Sequence, residues 1–363
     1  MPLPDDFIEI DFLAVETAKS GDAITIRCNI GGLPYITVVD GGFMEMGEKI
    51  ESHIGQYYTN QAYVDYVILT HPDQDHASGL RYVVENLDVR SLWMNRPWLY
   101  ANELIDSFKN YTNLSNLELK LRECYPLLQE LEELAIERGI PIYPVFQGQT
   151  IGLFTVLSPS KEFFLRKVVE STRTPVAADA ALTIKKLLLE IAKLAKATVK
   201  FVIGQWGEES LKNDPTSAEN EMSVIQFAAG GDTTFLLTGD AGREALAEAI
   251  AYAPYVNLSL PGIDVIQVPH HGSRRNVSSA LLDQLVGPKL NGPIGPGNEL
   301  FTAIISSAEA DVHHPKKAVE RAFHHRGAKV LATEGASIVV GWNRPARNWS
   351  SLPSRPYPTT QEE

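Results

Sequence analysis

The apolar run from Val64 to Thr70 stops abruptly at His71-Pro72-Asp73-Gln74-Asp75-His76, and an amphipathic pattern resumes directly afterwards at Ala77. A run of this length, rich in β-branched residues, reads as a buried strand, and residues 77–87 read as a helix. Pro72 turns the residue before it away from helical geometry, and Asp73 favours a turn. The chain must therefore carry a short, rigid corner between a buried strand and a helix, with His71, Asp73, Asp75 and His76 all within six positions. Imidazoles suit zinc, manganese and iron, carboxylates harden a site, and two negative charges balance a divalent cation. Taken alone, the string also fits an acidic turn with solvated histidines.

Any metal has to be held by such side chains. Cys28 and Cys124 are the only cysteines, which suggests neither a disulfide framework nor a thiolate cluster. The formal net charge of −13 argues against tight nonspecific binding to nucleic-acid backbones, which depends on Lys and Arg displacing counterions. A local basic cleft is compatible with that sum, and bound cations would cancel acidic ligands. The 363 residues suffice for one large domain or two ordinary ones. No stretch approaches the ~18 apolar residues of a spanning helix. The start is acidic where a secretory signal would be basic, so a cytoplasmic location is expected.

Along the chain, residues 7–39 alternate β-rich runs with glycine turns and read as a three-strand meander ending at Asp40-Gly41-Gly42. A helix is expected from Glu45 to Tyr57. Residues 97–139 are mostly helical by spacing, and a second helical region runs from about 161 to 196 with a break at Thr174-Pro175. Strands resume near Thr198 and again from Ser223. From there strand and helix alternate as far as Trp342. The expected organisation is one domain over 1–342 with helical insertions at about 97–139 and 161–196, followed by an extended or docked Pro/Ser-rich tail at 343–363.

Three more features sit at or just after predicted strand ends: Asp240 in Thr238-Gly239-Asp240, His270-His271 in Pro269-His270-His271-Gly272-Ser273, and His314. Each has a plain alternative. Asp240 could cap a helix, the histidine pair could be a solvated turn, and His314 could precede a proline-started helix. Yet eight of the nine histidines fall in four tight clusters, and three clusters occupy such ends. His324 and His325 fit a helix C-terminus, where the dipole favours their charge, and are set aside.

The ordered series Gly21-Asp22-Ala23, Asp40-Gly41-Gly42, His-x-Asp-x-Asp-His with a trailing Gly79-Leu80, Thr238-Gly239-Asp240, His270-His271-Gly272-Ser273 and His314-Pro315 resembles the metallo-β-lactamase fold. It is most similar to the branch containing the metal-binding domain of competence DNA-uptake proteins and phosphorylcholine esterase. The resemblance covers roughly residues 8–95 and 218–341. It implies an α+β chain: an αββα sandwich of two mixed sheets flanked by helices, with two divalent metal ions, Zn²⁺ or Mn²⁺, at one edge. Carried over, His71 and Asp73 would help hold the first ion, Asp75 and His76 the second, and Asp240 would bridge both. His271 would be a ligand, His270 a neighbour or substrate contact, and Asp40 would order the loop. Lys19 stands where the family usually has glycine, and Val312-His313-His314-Pro315 where Tyr-Gly-His-Pro is common. His314 would complete the first site or protonate a leaving group.

The implied reaction is hydrolysis by a metal-activated hydroxide, with Asp75 and His314 among the catalytic groups. Asp73 in place of a histidine favours oxygen-rich substrates such as phosphodiesters. Ser273, Arg274 and Arg275 are placed to contact phosphate. The first expectation is thus a phosphodiesterase or nuclease. Alternatives are an acyl hydrolase of lactams, lactones or thioesters, and a noncatalytic effector module. Expected partners are a phosphodiester substrate, nucleic acid included, and a protein or second copy through the helical insertions, with no membrane.

Overall fold

The computed structural model describes residues 6–58, 63–179, 181–184, 186 and 200–363. The meander forms as β1 (Phe7–Phe12), β2 (Ala23–Ile30) and β3 (Leu33–Gly41), all antiparallel, with Ile10 opposite Ile26 and Ile26 opposite Thr37. A helical crossover then carries the chain back before each of the next three strands, so these run parallel to β3. These are β4 (Tyr66–Ile68), β5 (Leu92–Trp93) and β6 (Ile142–Tyr143).

A second sheet starts with β7 (Thr150–Ile151), β8 (Phe154–Ser158), β9 (Ile225–Gly230) and β10 (Thr233–Leu237), again antiparallel. It continues in parallel through β11 (Val265–Gln267), β12 (Phe301–Ile305) and β13 (Ala328–Ala332). The chain returns to the first sheet as β14 (Ile338–Trp342) against β1. The orders are β14-β1-β2-β3-β4-β5-β6 and β13-β12-β11-β10-β9-β8-β7.

Period-two alternation puts Ile8, Ile10, Phe12, Ile24 and Ile26 on the face that meets Phe154, Val156, Phe235, Leu237 and Ile304 of the other sheet. The outer face of the first sheet packs on α1 (Met46–Tyr57) and α2 (Gln74–Asn86) through Met46, Ile50, Ile54, Leu80 and Val83. The expected αββα arrangement is present. At Gly79 an added Cβ would lie 1.9 Å from the Gly41 carbonyl oxygen. The glycine thus lets α2 sit directly on the end of β3, and the His71 corner rides on that contact.

The first helical region forms α3 (Leu114–Cys124) and α4 (Pro126–Glu137), which join the outer core through Leu117, Leu121, Leu128 and Leu131. Arg138 donates to the carbonyls of Val84 and Leu87 at 2.6 and 2.8 Å, closing the C-terminus of α2. The second region gives α5 (Lys161–Glu170), which ends four residues before Thr174 rather than at it. The Thr174 hydroxyl bonds the carbonyls of Val168 and Ser171, so the side chain competes for the last turn. The rest of that expected helix from 187 to 196, and Thr198 and Val199, lie outside the described residues.

The run Val64–Thr70 also differs from one continuous strand. It divides at Asp65, whose carboxylate accepts Ile36 N–H at 2.9 Å. Tyr63–Val64 pair instead with Asp88–Val89. On the other side of the molecule α7 (Arg243–Tyr252), α8 (Ser279–Val286) and α9 (Lys317–His324) cover the second sheet, while the short α6 (Ala218–Glu221) lies against α5. The tail docks, with Thr360–Glu362 pairing with Phe201–Ile203. Among the described residues no helix is long and apolar enough to cross a membrane.

Candidate metal centre

The corner following β4 delivers His71, and α2 begins inside the motif rather than after it. Asp73 is its N-cap in extended conformation (φ −76°, ψ 151°), and Asp75 and His76 occupy the first turn. The second sheet supplies the opposing half from matching strand ends: Asp240 follows β10, and His270-His271 follow β11. Both of those histidines adopt positive φ, 50° and 52°. Such a conformation is uncommon for non-glycine residues and marks functional sites. It turns two consecutive imidazoles toward the same carboxylate.

That carboxylate is Asp240, buried at the centre. One of its oxygens, Oδ1, lies 3.3 Å from His76 Nε2 and 3.6 Å from His271 Nε2. The other, Oδ2, lies 3.7 Å from His71 Nε2 and 3.5 Å from His270 Nε2. Each oxygen therefore faces its own pair of imidazoles. Asp75 Oδ2 approaches His271 Nε2 at 3.4 Å, and Asp73 Oδ2 approaches His71 Nε2 at 3.8 Å.

The far nitrogens of the rings fix which nitrogen points inward. Thr70 gives its hydroxyl proton to Asp40, 2.6 Å away, so its oxygen is left to accept from His71 Nδ1 at 3.1 Å. His76 Nδ1 donates to Asp40 at 2.7 Å, and His271 Nδ1 donates to the Ser306 carbonyl at 2.9 Å. His270 differs, because its Nδ1 lies between the Asn220 amide nitrogen at 2.8 Å, a donor, and the Asn276 amide oxygen at 3.1 Å, an acceptor, while Asn276 spends its own amide donors on the Asp240 and Ala241 carbonyls. In the neutral forms of His71, His76 and His271 the remaining proton sits on Nδ1, so Nε2 presents a lone pair to the centre.

Those inward atoms have nothing else to bind. His71 Nε2, His76 Nε2, His271 Nε2, Asp240 Oδ1 and Asp22 Oδ1 are buried without hydrogen-bond partners. Buried polar atoms left unpaired are costly. Ligand atoms of Asp22, His76, Asp240 and His271 all lie within 4.8 Å of one another, a donor set that fits a divalent cation. Asp40, His71 and His76 also come that close, but Asp40 is already occupied by Thr70 and His76 and acts as their support.

The electrostatics agree. Burial pushes the His71 ring down to about 4, reinforced by the charge of His76. Burial also opposes charge on His271, yet the carboxylates of Asp240, Asp75 and Asp22 hold it up at about 9. Burial lifts Asp22 above the usual carboxylate range although His271 and His76 pull the other way. For Asp240 burial is outweighed by His270, His76 and His271, and it lies well below that range. Protons on imidazoles perform the neutralisation that a metal ion would otherwise provide.

Residues 35–124 match the sequence pattern of the Metallo-beta-lactamase superfamily. The chain has the metallo-β-lactamase fold, and its residues 35–124 carry that superfamily's pattern. Over 149 residues it is 29% identical to ComE operon protein 3 of Bacillus subtilis (strain 168), a match covering 40% of this chain. The chain spans only 16% of the length of that relative. Solved structures similar to it include a diphosphatase from the PhnP family (TM-score 0.37, 11% identity, covering 92% of this chain and 98% of that one). Another is Zn(2+)-bound PqqB from Methylobacterium extorquens (TM-score 0.39, 11% identity, covering 92% and 99%).

Within this metallo-β-lactamase domain the other expected site residues fall in different places. Asp40 stands behind the loop, bonded to Thr70 and His76. His314 stacks on His270 at 5.5 Å between ring centroids and holds Asp311 through Nδ1 at 3.2 Å, away from His71. Ser273 is buried beside the histidine turn. Arg274 is tied to the carbonyls of Ser210 and Glu362 at 3.3 and 3.0 Å, whereas Arg275 is exposed.

Sequence reasoning assigned no role to Asp22, although Gly21-Asp22-Ala23 was part of the resemblance; an acidic residue between strands carries no spacing signal of its own. Thr70, Asn276, Asp311 and Arg173 were also passed over. They contact the candidate ligands or their neighbours, and those contacts arise only in the folded chain.

Proposed function

We propose that the chain is a metal-dependent hydrolase acting on phosphodiester bonds, with divalent ions that the residues around Asp240 would hold. The observation that carries this reading is the division of the Asp240 carboxylate, one oxygen toward His76 and His271 and the other toward His71 and His270. His71, His270 and Asp73 would hold the first ion; Asp22, Asp75, His76 and His271 the second. His270 would then supply the imidazole that the first site otherwise lacks, with its proton on Nδ1 toward the Asn276 oxygen and not on Nε2. Such a pair of ions supplies a nucleophilic oxygen near neutral pH and neutralises charge on the reacting phosphoryl group. Zn²⁺ and Mn²⁺ both suit this mixture of imidazole and carboxylate.

The protein's own groups fix the rest. Asp40 and Thr70 hold the His71 and His76 rings, and Ser306 holds His271. Asp311 is in turn fixed by Ser20 N–H and Oγ–H at 3.0 and 2.8 Å. It orients His314 with Nδ1–H engaged, so that Nε2 would give a proton to a leaving oxygen only from the doubly protonated ring. The carboxylate-rich donor set and the exposed Arg275 favour an anionic, oxygen-rich substrate over a lactam or thioester.

The test is turnover by the full chain loaded with Zn²⁺ or Mn²⁺, presented in parallel with bis-p-nitrophenyl phosphate, labelled DNA and RNA, and a chromogenic lactam. Phosphodiester cleavage that disappears in Asp240→Ala, together with metal loss in that variant, is expected. Lactam cleavage without any phosphodiester cleavage would overturn the substrate assignment.

A further inference from the structure

The second helical region brings a cation to the metal centre. Arg173 follows α5 in a loop held at several points. Its N–H bonds Ser171 Oγ at 3.0 Å, its carbonyl accepts from Cys124 Sγ at 3.0 Å, and the Thr174 hydroxyl closes the turn on Val168 and Ser171. From this base the guanidinium reaches Asp73, Nη2 donating to Oδ1. Nε lies 3.7 Å from Glu219 Oε1, and Glu219 is itself fixed by the Ser171 hydroxyl.

The other oxygen of Asp73 lies 3.8 Å from His71 Nε2, so one carboxylate separates the guanidinium from the proposed first ion. The Arg173 side chain remains 40% exposed. Its third nitrogen, Nη1, has no hydrogen-bond partner among the described residues.

Two roles are consistent with those contacts. As a clip, Arg173 would only join the insertion to the metal loop, but a partly exposed ion pair contributes little to stability. As an anchor, it would offer a fixed, always charged fork beside the reacting position, with donors suited to a phosphoryl oxygen. The rigid loop and the open guanidinium edge favour the anchor. Arg274, whose guanidinium is spent on two backbone carbonyls, does not offer this.

We propose that Arg173 binds a non-bridging phosphoryl oxygen of the substrate at the His71 end of the centre, giving the domain its preference for anionic over neutral esters. This rests on the phosphodiester reading above. The full chain, loaded with Mn²⁺, is titrated calorimetrically with inorganic phosphate as wild type, Arg173→Ala and Arg173→Lys, with metal content measured on each sample.

The expected result is phosphate binding weakened about tenfold or more in Arg173→Ala, an intermediate loss in Arg173→Lys, and unchanged metal content. In turnover, kcat/KM for bis-p-nitrophenyl phosphate should fall by a larger factor than that for p-nitrophenyl acetate. Phosphate affinity of Arg173→Ala equal to wild type overturns the proposal. So does a loss that only tracks loss of metal, which is the clip's signature, or a wild type that binds no phosphate. If Arg173→Ala does not fold, the Arg173→Lys titration decides by the same criteria. Phosphate binding that depends on Arg173 in a protein that cleaves no phosphodiester would sustain the anchor and remove the phosphodiesterase reading.

Discussion

Asp40 Oδ2 lies 2.7 Å from His76 Nδ1 while the same carboxylate accepts both the N–H and the hydroxyl of Thr70, at 2.8 and 2.6 Å. One side chain thus sets the orientation of His76 directly and of His71 through Thr70. Asp40 has φ 56°, a conformation that asparagine tolerates well. Asp40→Asn should therefore keep the backbone and lose the charge that polarises His76. Outer-shell losses of this type lower metal affinity about 10–100-fold. Competitive titration with a metal indicator measures this, and an affinity within twofold of wild type would count against the role given to Asp40.

Gly79 is fixed by the fold and not by the chemistry. A methyl group there would collide with the Gly41 and Phe43 carbonyl oxygens, at 1.9 and 2.7 Å, and both are backbone atoms that cannot swing aside. Gly79→Ala should therefore cost about 3 kcal/mol, the upper end of ordinary overpacking. It should also loosen the seat of α2, and with it Asp75 and His76. Denaturant midpoints give the first effect and metal titration the second; a fully stable Gly79→Ala would show that α2 can lift without consequence.

The sequence made the strand ends legible because strand-end residues interrupt strong hydrophobic periodicity, as at His71, Asp240 and His271. Asp22 and Arg173 were less legible for opposite reasons. Asp22 sits among β-rich turns where an aspartate is ordinary, and Arg173 is brought to Asp73 by tertiary folding across 100 positions. The polar face of β1 departs from simple alternation. Alternation there suggests a solvated side, yet Glu9 and Asp11 are fully buried, because α1 and the tail cover them. His270 shows a further limit: a positive φ at two consecutive histidines cannot be read from composition, and it is what turns both rings inward.

Glu209 predicts a specific acid response. Burial would raise its carboxyl, but hydrogen bonds from His325, Arg326 and Ser279, and the charge of Arg326, hold it far below its ordinary value of 4.5. A depressed folded-state value means that the contribution to stability is fully present above the ordinary value. It is lost as pH falls below 4.5 toward the folded-state value. Glu209→Gln should therefore be less stable than wild type at neutral pH, with the gap narrowing below about pH 4.5. Parallel urea unfolding at pH 7 and at pH 3.5–4 tests this. A gap that is constant across the two conditions would mean that the carboxylate charge contributes nothing.

Arg347 ties the tail to β1. It meets Asp11 Oδ1 at 2.6 Å and Glu9 Oε1 at 3.0 Å, with its side chain 6% exposed and both acids at 0%. Arg27 shares Glu9 at 2.7 Å, and the Tyr58 hydroxyl donates to Asp11 at 2.7 Å. Removing Arg347 leaves two buried carboxylates with only part of their compensation, a change that typically costs 3–5 kcal/mol. Arg347→Ala should fall in that range, far beyond a surface substitution. Neutralising the acids in the same chain, as Glu9→Gln with Asp11→Asn, should recover part of the loss, because the cost lies in the unpaired charge. If the triple variant is as unstable as the sum of its parts, the loss comes from the packing of Arg347 between Tyr57 and Trp349, at 4.4 and 4.9 Å from the ring centroids, and not from charge.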